Sequence, residues 1–179
     1  MKAIILAAGE GTRLKPLTAA IPKPMLPVAG KPTIEYVIDN LLTSKDITDI
    51  YIAVHHGKEI MERYFNCAKR PGVNIHLVNV MRWETGGDMK LVAYEAGVED
   101  DFVVCFGDNI TEVNIDDMIK FHKKKGKTAT MALFEVPPAD RERFGIGEVD
   151  EASTIVKFKE KPRPYDEIKG NLANAGYYI

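Results

Sequence analysis

The densest chemistry in this 179-residue chain lies in residues 9–32. Gly9 and Gly11 precede Arg13, Lys15, Lys23 and Lys31, and no acidic residue falls between Gly11 and Ile34. Half of the 10 prolines sit in the same stretch: Pro16, Pro22, Pro24, Pro27 and Pro32. Glycines let backbone N–H groups approach a ligand closely, and prolines fix φ and stiffen the loop. A stiff glycine-bearing loop with converging cations is what a polyphosphate needs, because donors and charge are in place before binding. The plain alternative is a proline-rich surface loop with solvated lysines. Two familiar phosphate motifs do not fit. Gly9-Glu10-Gly11-Thr12-Arg13-Leu14 reads GxGxxL rather than GxGxxG, and no Gly-Lys-Ser/Thr follows these glycines at P-loop spacing. An NAD(P) oxidoreductase and a P-loop enzyme are therefore disfavoured.

Other chemistry-bearing residues are scattered. Asp108 follows the apolar run Phe102–Phe106, in Phe106-Gly107-Asp108-Asn109. A carboxylate at a strand's carboxyl end suits a hard cation such as Mg²⁺, although a turn-forming Asp reads equally well. Trp83-Glu84-Thr85-Gly86-Gly87-Asp88 opens a helix and is compatible with a simple N-terminal glycine turn. His55 and His56 are adjacent on an expected strand, hence on opposite faces, and cannot easily share a metal. His76 and His122 have no ligand spacing, so all four histidines read as structural or surface residues. Cys67 and Cys105 lie outside any CxxC and read as reduced, which excludes a disulfide framework and a cysteine zinc site.

Elements must position these groups. The apolar run Ala3–Ala8 predicts a strand buried on both faces. Ile34, Val37, Ile38, Leu41 and Leu42 at helical spacing predict a helix over 33–44. Strands follow at 50–54, 73–78 and 102–106. Helices follow at 58–66 and around Met89, Val92, Ala93 and Ala96. Asn114 predicts a helix start, with Asp116 and Asp117 in the first turn and Lys123–Lys125 before Gly126 complementing the helix dipole. Further strands are expected at 127–136, 145–150, 154–160 and 173–179. This alternation predicts an α/β fold, a three-layer, Rossmann-like arrangement with a mostly parallel mixed sheet. Ligands of such sheets bind outside the carboxyl ends of the strands, which places the segments after Ala8, Val78 and Phe106 around one crevice.

Composition narrows the classes. Apolar content of 45% and charged content of 28% are ordinary for a globular chain. A net charge of −2 excludes a generally basic nucleic-acid binder. No run approaches a membrane span, and the apolar start is too short for a secretory leader, so a cytoplasmic protein is expected. The length predicts one domain, 1–179. Ile179 closes the chain inside an apolar strand pattern, so the chain reads as short at its C-terminus.

Three segments together resemble one family. They are Leu6-Ala7-Ala8-Gly9-Glu10-Gly11-Thr12-Arg13-Leu14, then Pro16-Leu17-Thr18, then Pro22-Lys23-Pro24-Met25-Leu26-Pro27-Val28 with Gly30-Lys31-Pro32. In this order they resemble the sugar-1-phosphate nucleotidyltransferases, the nucleotide-sugar pyrophosphorylases. The resemblance implies that NTP and a sugar 1-phosphate give NDP-sugar and pyrophosphate, with Mg²⁺. It implies a nucleotide-binding half, 1–112, using Leu6, Ala8, Gly9, Gly11, Thr12, Arg13, Lys23, Asn79, Thr85 and Gly87. Arg13 and Lys23 match the family's catalytic cations, and Asp108 matches its metal-binding Asp. Glu84 stands where the family has a glycine, Asp88 where it has a small residue, and Asn79 where many members carry a base-reading Gln, so the base stays open. The sugar-phosphate-binding half, 113–179, is implied by Phe144-Gly145-Ile146, Glu160-Lys161-Pro162 and Asn174-Ala175-Gly176. It assigns Gly145, Glu160, Lys161 and Asn174 to the sugar phosphate. A later segment of the family, beyond the residues matched here, supplies a second metal-binding Asp and often oligomer contacts, so a homo-oligomer stays open as a partner. Two alternatives remain: a non-catalytic nucleotide- or NDP-sugar-binding module, and a nucleotidyltransferase acting on a non-sugar phosphate such as phosphocholine.

Overall fold

A computed structural model describes residues 1–68, 70–81 and 83–179. The chain divides into two compact units, Met1–Thr130 with Tyr178–Ile179, and Met131–Tyr177.

The first unit starts with strand β1, Lys2–Leu6. The stretch predicted as a loop contains helix α1 (Leu17–Ala20), two 3₁₀ turns at Thr12–Leu14 and Lys23–Met25, and a two-stranded ribbon of β2 (Pro27–Val28) and β3 (Lys31–Pro32). Helix α2 (Thr33–Leu41), strand β4 (Asp49–Val54), helix α3 (Lys58–Cys67) and strand β5 (Asn74–Asn79) follow. Helix α4 (Glu84–Glu95), strand β6 (Val103–Phe106) and helix α5 (Ile115–Lys125) complete it.

Strands β5, β4, β1 and β6 lie side by side in that order and pair in parallel. β1 is central: Ala3, Ile4 and Ile5 are each 0% exposed. Successive strand residues point to opposite faces, so both faces of β1 are covered. On one face Val92 of α4 packs with Ile4, Ala53 and Val104, with Met89 and Leu91 against the same cluster. Helix α2 buries Ile34, Val37, Ile38 and Leu41 completely.

Helix α5 matches its end signals. The Asn114 side chain accepts a hydrogen bond from the Asp117 N–H at 3.0 Å, and Gly126 closes the helix in a left-handed conformation. At the β4–β5 edge, the Asn74 side chain donates to Asp49 at 3.0 Å and the Thr48 hydroxyl donates to it at 2.8 Å. These bonds favour the carboxylate and hold Asp49 below its ordinary pKa.

The second unit is antiparallel where its register is defined. Strand β7 (Met131–Glu135) pairs with β10 (Leu172–Tyr178), and β8 (Gly145–Val149) pairs antiparallel with both β10 and β9 (Ile155–Glu160). A 3₁₀ turn at Pro138–Arg143 precedes β8. Val136, Ile146, Ile168 and Ala173 form its core, with Phe144 packed against them.

Three stability outcomes follow from these contacts, all read by urea unfolding. Ile4→Ala, which empties the centre of the parallel sheet, should cost about 2–5 kcal/mol. Asn114→Ala, which removes one capping acceptor, should cost about 1 kcal/mol. The Asp49 contribution is present above the unfolded carboxylate pKa and is lost as pH falls through its lowered folded value, so Asn74→Ala should flatten the acid limb of the stability profile.

Candidate functional site

β1 ends at Leu6, and the chain must turn immediately because the sheet ends there. Ala7 is still tied to the sheet, its N–H donating to the Ala53 carbonyl at 3.1 Å. The Gly107 N–H donates to the Leu6 carbonyl at 3.0 Å, which brings the segment after β6 alongside. A cavity of about 320 Å³ opens at this edge. Its walls are Leu6–Gly9, Lys23 and Pro24, Ala53, Glu84, Thr85 and Asp88, and Phe106 and Asp108. The segment after β1, the start of α4 and the turn after β6 thus meet in one crevice; the expected segment directly after Val78 is represented by α4's first residues.

The cavity is lined by opposite charges. Lys23 and Asp108, 85 residues apart, form an ion pair inside it, with both side chains partly exposed. Asp88 is only 7% exposed, and one of its oxygens accepts from the Trp83 N–H at 3.0 Å. That bond ties the first turn of α4 to its own start.

The loop that delivers Lys23 is held from several sides. The fully buried Thr18 donates its hydroxyl to the Gly11 carbonyl at 2.8 Å. His56 Nε2 lies 3.2 Å from the Thr18 carbonyl. Thr33 donates its hydroxyl to the Leu26 carbonyl at 2.9 Å, and Tyr36 to that of Val28 at 2.8 Å. Gly11 has φ +63°, and a Cβ there would lie 2.9 Å from Thr18 Cγ2 and 3.0 Å from Lys23 Cβ. Glycine is therefore required twice, by backbone conformation and by space.

Several readings change. Of the four cations in residues 9–32, only Lys23 lines the cavity. Lys31 pairs with Asp39 and lies 4.4 Å above the Tyr36 ring, so it braces α2. Thr12 and Arg13 lie on an exposed 3₁₀ turn outside the lining, and Gly11, Asn79 and Gly87 are also outside it. A Cβ on Gly87 would come within 2.6 Å of Trp83 Cβ, so this glycine has a packing role of its own. The adjacent histidines are not on a strand. β4 stops at Val54, and His55 Nδ1 lies 2.9 Å from the Val80 carbonyl while His56 faces Thr18. Loop geometry, not strand alternation, separates them. Ala7, Pro24, Ala53 and Phe106 were not assigned to the site from sequence, and Glu84 and Asp88 entered only as departures from the family pattern, yet all six line the cavity. Glu84 and Asp88 had one signal, an acidic residue at each end of an otherwise small, polar turn.

In the second unit Gly145 pairs directly with Glu160, and a Cβ on Gly145 would meet Glu160 Oε2 at 2.6 Å and Phe158 Cζ at 2.5 Å. The Lys161 N–H donates to the Phe144 carbonyl at 3.0 Å. Ala173 pairs with Ile146, which sets Asn174 one step further toward Gly145, and Asn174 Oδ1 accepts from the Gly176 N–H at 2.8 Å. Gly145, Glu160, Lys161 and Asn174 thus share one end of β8, with the Glu160 and Lys161 side chains 64% and 57% exposed.

The sequence model of the Nucleotidyl transferase family matches residues 2–179. The chain belongs to the nucleotidyl transferase family. Among curated relatives, a UTP–glucose-1-phosphate uridylyltransferase of Synechocystis sp. is 34% identical over all of this chain and 48% of its own length. A mannose-1-phosphate guanyltransferase of Gibberella zeae is 35% identical, over 100% of this chain and 49% of its own. The chain spans about half the length of these relatives. The fold is that of UDP-glucose pyrophosphorylase crystallised with UDP-glucose, at TM-score 0.83 and 24% identity, covering 99% of this chain and 74% of the other. Among the described residues, no helix is long and apolar enough to cross a membrane. No group of three His, Cys, Asp or Glu side chains could by itself hold a metal, again among the described residues. Asp108 nonetheless fits Mg²⁺, because this ion binds through one or two carboxylates and takes its other oxygens from water and phosphate.

Gly11→Ala tests the loop's role in presenting Lys23. Left-handed strain alone costs about 1–2 kcal/mol. Thermal unfolding should register that loss, and calorimetry with inorganic tripolyphosphate should show weakened binding although Gly11 lies outside the lining.

Proposed function

We propose that this nucleotidyl transferase joins an NTP to a sugar 1-phosphate, releasing pyrophosphate and NDP-sugar in a Mg²⁺-dependent reaction. One observation carries the reading: Lys23 and Asp108 meet in a cavity beside the Gly9 backbone, at the carboxyl ends of β1 and β6. In this reading a phosphate oxygen of the sugar phosphate attacks the α-phosphorus of the NTP in line. The bond from that phosphorus to the α–β bridging oxygen breaks, and pyrophosphate leaves with its electron pair. The nucleophile is already anionic, so no general base is needed. The barrier is the approach of one anion to another, and fixed cations lower it.

Each residue then has a task. Leu6, Ala8, Gly9, Gly11 and Thr12 shape the nucleotide side, with Asn79, Thr85 and Gly87 nearer the nucleoside. Arg13 and Lys23 offset charge on the phosphates. Triphosphate binding would draw Lys23 away from Asp108, leaving the carboxylate to hold Mg²⁺. The bound ion supplies Lewis-acid charge stabilisation at the phosphate oxygens. Gly145, Glu160, Lys161 and Asn174 hold the sugar phosphate: Glu160 accepts from hydroxyls and Lys161 meets the phosphate. Cys67 and Cys105, not joined in a disulfide, fit a cytoplasmic location.

A pyrophosphate-release assay tests the reading, crossing UTP, dTTP, GTP, CTP and ATP against glucose, mannose and N-acetylglucosamine 1-phosphates. Release with one pair is expected. Lys23→Ala and Asp108→Asn should each lower turnover about 10²–10³-fold with unchanged circular dichroism. Wild-type rates in either variant would refute the assignment. Glu160→Gln should raise KM for the sugar phosphate more than KM for the NTP.

A further inference from the structure

The cavity wall carries one cation and three carboxylates. Asp108 follows β6 and is paired with Lys23. Glu84, Thr85 and Asp88 come from the start of α4, which packs on β1 and β4. All of them line the same cavity, the acidic pair from α4 and the Lys23–Asp108 pair from the loop after β1 and the turn after β6. Lys23 and Asp108 neutralise each other. Glu84 and Asp88, one helical turn apart on the same face, leave the α4 part of the wall negative. Glu84 makes no ion pair or side-chain hydrogen bond with the described residues. Its backbone is left-handed at φ +64°, a conformation that favours glycine, yet the residue is acidic. Asp88 commits one oxygen to Trp83 and is otherwise buried in the cavity wall.

A triphosphate is repelled from that part of the wall and drawn to Lys23. The nucleoside must then face Glu84. A carboxylate only accepts hydrogen bonds, and it does so best from two parallel donors. Guanine presents two adjacent donors, N1–H and the N2 amino group. Uracil and thymine present one N–H flanked by two carbonyl oxygens, which a carboxylate repels. Adenine and cytosine present one amino group beside an acceptor nitrogen. We propose that Glu84, backed by Asp88, is the base-reading residue of this cavity and selects guanine. This rests on the nucleotidyltransferase reading, because it requires an NTP in the cavity with its phosphates toward Lys23.

The test is calorimetric binding of GTP, dGTP, ATP, CTP and UTP with Mg²⁺ to the full chain and to Glu84→Gln and Glu84→Gly. Wild-type protein should bind GTP at least about tenfold more tightly than UTP, and Glu84→Gln should erase most of that ratio. Glu84→Gly relieves the left-handed backbone, so its Tm should hold or rise while the GTP preference is lost. A misfolded variant cannot produce that combination. Tighter binding of UTP by wild type, or an unchanged GTP-to-UTP ratio in both variants, would overturn the base assignment alone. A ratio of GTP to dGTP that moves instead would assign Glu84 to the ribose and also overturn it. No binding of any nucleotide by the folded chain would overturn both this inference and the function it rests on.

Discussion

Burial of β1 on both faces is the constraint from which the rest of the first unit follows. A strand with Ala3, Ile4 and Ile5 fully enclosed needs neighbours on both edges and cover above and below. Parallel neighbours need crossovers, and the crossovers supply α2, α3 and α4. Every chain segment leaving the sheet at its carboxyl edge then starts from the same place. The cavity is the space those departing segments leave, and its walls are whatever residues happen to lead them out: Ala8 and Gly9, Phe106 and Asp108, Ala53.

Within that space, charge pairing decides the resting arrangement. Lys23 travels on a loop held by Thr18, Thr33 and Tyr36, and it meets the acid that follows β6. Its neighbour in sequence type, Lys31, is taken by Asp39 and the Tyr36 ring. A lysine count therefore overstates the charge available to a ligand. The same holds on the acidic side. Asp88 is buried because it satisfies an N–H at the start of α4, whereas Glu84 spends a strained backbone conformation to stand at the cavity wall. Strain of this kind persists only where surrounding structure imposes it.

The second unit works by close approach rather than by a cavity. Gly145 leaves room for Glu160 directly across the β8–β9 pair, and a side chain at that position would collide with it. Lys161 has φ +47°, so the strand ends there with its N–H on the Phe144 carbonyl. One glycine and one turn hold a Glu-Lys pair at a defined strand end.

Local rules were enough to read much of this chain. The double-faced strand at 3–8, the amphipathic helix from Thr33, the Asn114 cap and the Gly126 stop all depend on neighbours a few residues away, so periodicity and end signals expose them. The ordered run from Leu6 to Pro32 was legible for the same reason, since a loop shape made by glycine and proline is written in its own residues. Contacts across long sequence separations were not legible. No spacing rule brings Lys23 to Asp108 over 85 residues, removes Lys31 to Asp39, or takes His55 and His56 off the end of β4. Sequence by itself determined the alternation of the main strands and helices, the family and the residue types available for chemistry, because those are properties of the chain. Only the tertiary structure decided which cations remain open to a ligand and which acids face them, because a charge is neutralised by whatever the fold sets beside it.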